Sequence, residues 1–285
     1  MKNPRIKTRV TIIHNHRRTR PARFFPYQNY SALPLQVRFS ILHWFGTLSS
    51  MEKTEPLVIV DHVEKVYVTG QRNVAALRGV SLEVLPGEFV ALMGPSGCGK
   101  STLLHLIGGV DRPTHGRVLV GGTVLETLSE AALAQFRRRR VGFVFQFFNL
   151  LPTLTVLENA ALPLMLDGVS DRDAQVRALT LLARVGLQER AGHFPAELSG
   201  GEMQRVAVAR AVISKPALIL ADEPTGSLDS ENGTQVMDLL RDLNRELGVT
   251  ILLATHDDEA AHSARRVIRM RDGMIERESL NVAIR

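Results

Sequence analysis

The sequence predicts an α/β fold: a mainly parallel sheet with helices on both faces, antiparallel strands added at the two ends, and a helical insert of about fifty residues. Three observations predict it. Continuous apolar runs at residues 89–93, 141–145, 218–221 and 250–254 alternate with helical stretches, which is the pattern of strands buried on both sides. The first of these runs ends in a glycine-rich turn, Gly94-Pro95-Ser96-Gly97-Cys98-Gly99, and a helix begins behind it at about Lys100. From about Leu150 to Glu197 the strand pattern gives way to a helical one.

Residues 1–50 stand apart from this pattern. They hold nine Lys/Arg, no Asp or Glu and seven aromatics, without a helical or alternating period, and read as a basic, disordered N-terminal extension. Met51 opens a polar leader and is a candidate for the true start, which would make the first fifty residues over-extended translation. A single domain is then expected over 51–285, with the helical subdomain at about 150–200 inside it. The net charge of +6 belongs to the extension: subtracting its nine basic residues from the 35 in the chain leaves the remainder close to neutral against 29 acidic residues. The basic balance is therefore poor evidence for nucleic-acid binding. Cys98 is the only cysteine, which excludes an intrachain disulfide and a cysteine-based metal site. No apolar run reaches the ~18 to 20 residues that span a bilayer.

Along the remaining chain, strands are expected at 57–63 and 80–85, the latter closed by Pro86-Gly87, and then at Phe89–Met93. A helix follows over Lys100–Ile107 and stops at Gly108-Gly109. A short strand at 117–120 ends in Gly121-Gly122. Ser129 is placed to cap a helix reaching Arg140, whose last turn is four arginines, a sign that suits a helix C-terminus. Within the insert Ser170-Asp171 begins a helix to about Val185. A further helix runs to about Ser214, another spans 231–247, and strands at 267–270 and 274–276 flank the Asp272-Gly273 turn.

Chemistry collects where these strands end. Glycines at 94, 97 and 99 let backbone N–H groups converge on one point, and the helix behind them adds roughly half a positive charge there. This is a phosphate loop: Lys100 is expected to reach the β- and γ-phosphates, and Ser101 to place its hydroxyl on Mg²⁺. Asp222 closes an apolar strand as the Mg²⁺ partner that such a loop needs. Glu223, one residue on, is placed to orient or deprotonate the attacking water. His256 can hold that water and the γ-phosphate in line, and Gln146 offers an amide to Mg²⁺ or water. Ser199-Gly200-Gly201 before a helix is a second anion site. Since the chain's one phosphate loop already has its own helix, the simplest use for the second site is the γ-phosphate of a nucleotide held by another copy.

Taken in order, these motifs resemble the ATP-binding subunit of ABC transporters, a P-loop NTPase of ABC type, over about residues 56–280. The resemblance makes Tyr67 the aromatic that stacks on adenine. It makes residues 94–102, from Gly94 through Lys100, Ser101 and Thr102, the Walker A loop, and Gln146 the Q-loop. Residues 198–205 become the signature, 218–223 Walker B, Ser227-Leu228-Asp229 the D-loop and His256 the switch histidine. Glu202 departs from the glutamine usual in the signature and is expected to turn outward or be tolerated at the helix N-terminus. Cys98, near a helix start, is expected to be a reactive thiol whose alkylation blocks turnover.

The wording of residues 145–159 is similar to the exporter group that includes lipoprotein-releasing and macrolide- or peptide-export ATPases. The resemblance implies ATP and Mg²⁺ as cofactors, a homodimer closed around two ATP, a membrane-spanning permease as partner, and a place in the cytoplasm on the inner face of the membrane. No nucleic-acid partner is expected. The competing readings are an ABC-type ATPase acting on nucleic acid through the basic extension, and a regulator of a membrane cell-division complex.

Overall fold

The computed structural model describes residues 55–70 and 72–281. The basic stretch 1–50 and the Met51 start lie outside them. In chain order the elements are β1 (Val58–Thr69), β2 (Arg72–Val84), β3 (Phe89–Met93), α1 (Lys100–Ile107), β4 (His115–Val120), β5 (Thr123–Val124), α2 (Glu130–Arg140) and β6 (Val141–Phe145). They continue with α3 (Val156–Leu166), α4 (Asp171–Arg184), α5 (Gly200–Val212), β7 (Leu218–Asp222), α6 (Ser230–Leu247), β8 (Thr250–Thr255), α7 (Asp258–His262), β9 (Arg266–Arg271) and β10 (Met274–Leu280).

Two sheets result. The larger has the order β10-β9-β3-β8-β7-β6; β9, β3, β8, β7 and β6 run parallel, and β10 returns antiparallel on the edge. Every residue of β3 and of β8 is buried, so the apolar runs 89–93 and 251–254, the latter between Thr250 and Thr255, are what burial on two faces requires. The smaller sheet, β2-β1-β4-β5, is wholly antiparallel. In β2 the buried residues Val80, Leu82 and Val84 alternate with exposed ones, the period of a strand with one wet face.

Three clusters fill the space. One joins the two sheets through α1, with Leu103, Leu104 and Ile107 packed among Val60, Val118 and Leu220. A second covers the other face of the parallel sheet with α6, whose Val236, Leu240 and Leu243 line one side of the helix. The third lies in the helical insert, where Ala160, Ala174, Ala178 and Leu182 let α3 and α4 approach closely. α5 belongs to two of them. Its Val208, Ala211 and Val212 face the sheet cluster, while Val206 and Ala209 face the insert.

Candidate functional site

The register of the parallel strands sets the site. Phe145 pairs with Asp222, Asp222 with Ala254, and Thr255 with Met93, so four strands finish level with one another. The next residues are Gln146, Glu223, His256 and Gly94. Side chains from four distant parts of the sequence thus emerge at one edge of the sheet, the usual place for a ligand in such a fold.

At the first of these ends the loop cannot be made without glycine. A Cβ on Gly94 would lie 2.2 Å from the Met270 carbonyl oxygen of β9 and 2.7 Å from Cys98 Sγ. Gly99 caps α1 at φ 107°, and a Cβ there would meet the Ala76 carbonyl at 2.6 Å. Lys100 is 5% exposed and folds back over the loop, its Nζ donating to the carbonyls of Gly94 at 2.7 Å and Pro95 at 3.3 Å. Nζ also stands 3.6 Å from Glu223 Oε1. Cys98 departs from expectation. It is 3% exposed and packs in the core joining the two sheets, so its place near a helix start does not present it to reagents.

Two contacts join the loop to the strand ends. Ser101 donates its hydroxyl to Asp222 Oδ1 at 2.9 Å. Burial pushes the Asp222 carboxyl above its usual range and the nearby Glu223 adds to this, while the Ser101 bond and the neighbouring His105 and Lys100 oppose it. Glu223 leaves the sheet differently. Its N–H still pairs with the Ala254 carbonyl at 2.9 Å, but its backbone is left-handed at φ 47°, a conformation that costs a non-glycine residue free energy. Beyond that turn, Glu223 Oε2 lies 2.9 Å from His256 Nδ1. The adjacent carboxylates thus have different hydrogen-bond partners, Ser101 for Asp222 and His256 for Glu223.

The other predicted residues fall into separate groups. Gln146 packs against the 226–227 turn: a Cβ on Gly226 would sit 2.9 Å from its Nε2, and its carbonyl accepts from Ser227 Oγ at 3.0 Å. Ser199 caps α5 as one half of a capping box. Its hydroxyl accepts from the Glu202 N–H at 3.3 Å, and the Glu202 carboxylate accepts from the Ser199 N–H at 2.8 Å. The glutamate in the signature is thus absorbed by its own helix start, and the Ser199 N–H holds its carboxyl below the usual range, with the hydroxyl and Arg190 contributing. Gly200 lies against Leu228, and a Cβ on Gly201 would sit 2.0 Å from Asn232 Oδ1. Asn232 is itself held by the Asp229 carboxylate at 2.8 Å and 3.0 Å, which ties the second glycine motif to the 227–229 segment.

Sequence reasoning missed the partners of Tyr67. Its ring is 37% exposed, and its hydroxyl donates to Asp111 Oδ2 at 2.9 Å. Lys65 bonds the other Asp111 oxygen at 2.7 Å and stands 4.8 Å from the ring centroid. Burial pushes the Tyr67 phenol above its usual range, and Asp111 adds to this. Asp111 follows an unremarkable helix end, and nothing in its spacing marks it as the ring's anchor.

The residues fit the cofactor that the phosphate loop implies. A serine hydroxyl and a carboxylate 2.9 Å apart are the hard oxygen pair that Mg²⁺ takes beside phosphates, with water filling the remaining positions. Among the described residues there is no cluster of three or more His, Cys, Asp or Glu side chains that could cage a metal without such help.

Such a loop, strand-end carboxylates and level register define a nucleotide-binding protein of the P-loop class. Comparison with known proteins narrows this further. The family described as ABC transporter matches residues 77–226. The lipoprotein-releasing system ATP-binding protein LolD of Geobacter metallireducens is 48% identical over 219 residues, which span 77% of this chain and 97% of that protein. The macrolide export ATP-binding/permease protein MacB of Syntrophobacter fumaroxidans is 49% identical over 225 residues, 78% of this chain but only 32% of that longer protein. Among solved structures, the dimeric ATP-binding cassette MJ0796 in a post-hydrolysis state bound to ADP and Pi superimposes with a TM-score of 0.74 at 44% identity, covering 80% of this chain and all of that one. The chain belongs to the ABC transporter family, as an ATP-binding subunit.

Proposed function

We propose that this subunit hydrolyses ATP between two copies of itself and so drives a separate membrane permease that exports lipoprotein, peptide or drug-like cargo. The observation that carries the reading is Glu223, turned out of its strand and held 2.9 Å from His256 at the level of the phosphate loop. In this mechanism Lys100 exchanges the Gly94 and Pro95 carbonyls for the nucleotide's phosphates. Tyr67 stacks on the adenine. Ser101 and Asp222, with Gln146, hold Mg²⁺, which when bound neutralises charge on the phosphates. Glu223 accepts the proton of the attacking water, and His256 fixes the carboxylate that does so.

Ser199, Gly200 and Gly201 of one copy complete the site of the other. ATP therefore closes the dimer and its hydrolysis releases it. The exporter assignment draws on the likeness to LolD and MacB, and MacB's name places an ATP-binding part and a permease in one chain. Among the described residues no helix is long and apolar enough to cross a membrane, so in this reading the spanning segments come from the partner, and the subunit sits on the inner face of the membrane. A groove of about 390 Å³ beside the Gln146 loop, lined by Phe143, Leu162, Pro163 and Leu166, together with the 73% exposed Phe147, is the surface offered to it.

The experiment is to purify the full chain, measure phosphate release from ATP, and capture the native membrane complex to identify the partner. Turnover with Mg²⁺ and ATP and a co-purifying multi-span permease are expected. A chain without turnover that associates with no membrane protein overturns the reading.

A further inference from the structure

One helix grips the Gln146 loop at both ends. Gln204 of α5 is 0% exposed, and its Nε2 donates to the carbonyls of Phe145 at 3.1 Å and Pro224 at 2.8 Å. Phe145 immediately precedes Gln146, and Pro224 immediately follows Glu223. Six residues further along the same helix, Arg210 donates to the carbonyls of Phe148 at 2.8 Å and Asn149 at 2.6 Å. Those two residues are left-handed, at φ 59° and 49°, which is costly for a phenylalanine; the planar fork of the guanidinium converges on their carbonyls and fixes the turn.

The Gln204 amide has one workable orientation, because turning it over would aim Oε1 at two carbonyl oxygens. As it stands, Oε1 is buried without a hydrogen-bond partner among the described residues. The unpartnered Oε1 is a cost, and it is offset by what Nε2 holds: an apolar side chain of that size would leave the Pro224 carbonyl without its donor. α5 is also stiffly seated, since it is packed between the sheet and the insert, and its first turn is Gly200-Gly201 behind the Ser199 cap.

We propose that Gln204 and Arg210 are positioning residues through which α5 sets the Gln146 loop and the Glu223 turn according to whether its first turn holds a partner's nucleotide. The proposal rests on the reading of Ser199, Gly200 and Gly201 as a phosphate grip. A pull at the N-terminus of α5 is carried along a helix about 20 Å long to Gln204, about 6 Å from Gly200, and to Arg210, about 15 Å from it. Four carbonyls follow: Phe145, Pro224, Phe148 and Asn149. The site in one copy is thereby told that its neighbour has docked.

The test uses the purified full chain with Gln204→Leu and Arg210→Lys, each made alone and combined with Gln146→Ala. Hydrogen exchange of amides 146–151 is followed with and without ATP, and turnover is measured in parallel. Wild type is expected to change its exchange in this loop on adding ATP, and both single variants to lose most of that change. Gln204→Leu is expected to lower kcat about tenfold or more with KM moved less than about threefold, and on the Gln146→Ala background its further effect should shrink by about threefold, the remainder passing through the Pro224 carbonyl to the Glu223 turn. Arg210→Lys keeps the charge but reaches one carbonyl, and a smaller loss of the same pattern is expected; it also serves if Gln204→Leu fails to fold. An ATP-dependent exchange change that persists in both variants, no such change in wild type, or equal losses of kcat with and without Gln146 overturns the proposal. Absent wild-type turnover alongside an intact exchange response would count against the enzymatic reading alone.

Discussion

Glu223→Gln separates the carboxylate's chemistry from its shape. The glutamine keeps the length of the side chain, so its oxygen can remain near Lys100, 3.6 Å away, while its amide group faces His256 at the present 2.9 Å. What is lost is the ability to accept a proton. A positioned general base contributes about 10²- to 10⁴-fold, so kcat should fall by that factor, equivalent to about 3 to 5 kcal/mol in the barrier. Stability should change far less. The lost attraction to Lys100 is about 4 to 5 kcal/mol at an effective dielectric of 20, but relief of carboxylate desolvation opposes it, and the net change should be about 1 kcal/mol. Lys100 also keeps its bonds to the Gly94 and Pro95 carbonyls. Phosphate release measures the first quantity, thermal unfolding the second, and light scattering the association state. The variant is expected to accumulate as a dimer when ATP and Mg²⁺ are added. Turnover within about threefold of wild type, or a variant that binds ATP and stays monomeric, would refute the role given to Glu223.

Tyr67→Ala should raise the KM for ATP about tenfold with kcat changed little, since a stacked base is worth about 1 to 3 kcal/mol; Asp111→Asn should have a smaller effect of the same kind, because it loosens the ring's anchor, and steady-state kinetics would check both. The folded-state pKa of Glu202 lies below its unfolded value, so its contribution to stability is present above the unfolded carboxylate range and is lost as pH falls through the lowered folded value. Glu202→Ala should accordingly cost about 1 kcal/mol at neutral pH and converge with wild type in acid, as read by urea unfolding at several pH values. Cys98 should resist alkylation in the folded protein and label promptly in denaturant, the reverse of what its sequence position alone implies; rapid stoichiometric labelling of the native chain would contradict its burial.

Much of the fold was legible because burial on two faces leaves a plain mark. The strands Phe89–Met93 and Val141–Phe145 and the helix Lys100–Ile107 fall on the residues that their apolar runs and glycine punctuation indicate. Where one face is wet the mark fades. β1 continues to Thr69, well past residue 63, because pairing with β2 extends through exposed positions such as Glu64 and Val68, with bulges on the way. α7 was missed since five residues are too few to show a period; Asp257 caps it by accepting from the Glu259 N–H at 2.9 Å. The residues at the strand ends were visible as motifs. Asp111 was not, nor were Gln204 and Arg210 as holders of the Gln146 loop, because their meaning lies in backbone carbonyls far away in sequence. Glu202 was seen as a departure, and only the capping box gives it a local reason.

The level finish of the four parallel strands bears on how the chain matures. Gln146, Glu223, His256 and Gly94 are brought together by pairings between β6, β7, β8 and β3, and the last of these spans more than 150 residues of chain. Long-range parallel pairings form late, because the loops they close must be ordered first. A chain that has folded its phosphate loop and first helix but not yet zipped β8 beside β3 lacks His256 at the site and leaves Glu223 without its partner. On the proposed reading, competence to hydrolyse ATP thus arrives only when β8 is in place, and recovery of turnover during refolding should lag behind recovery of helix content.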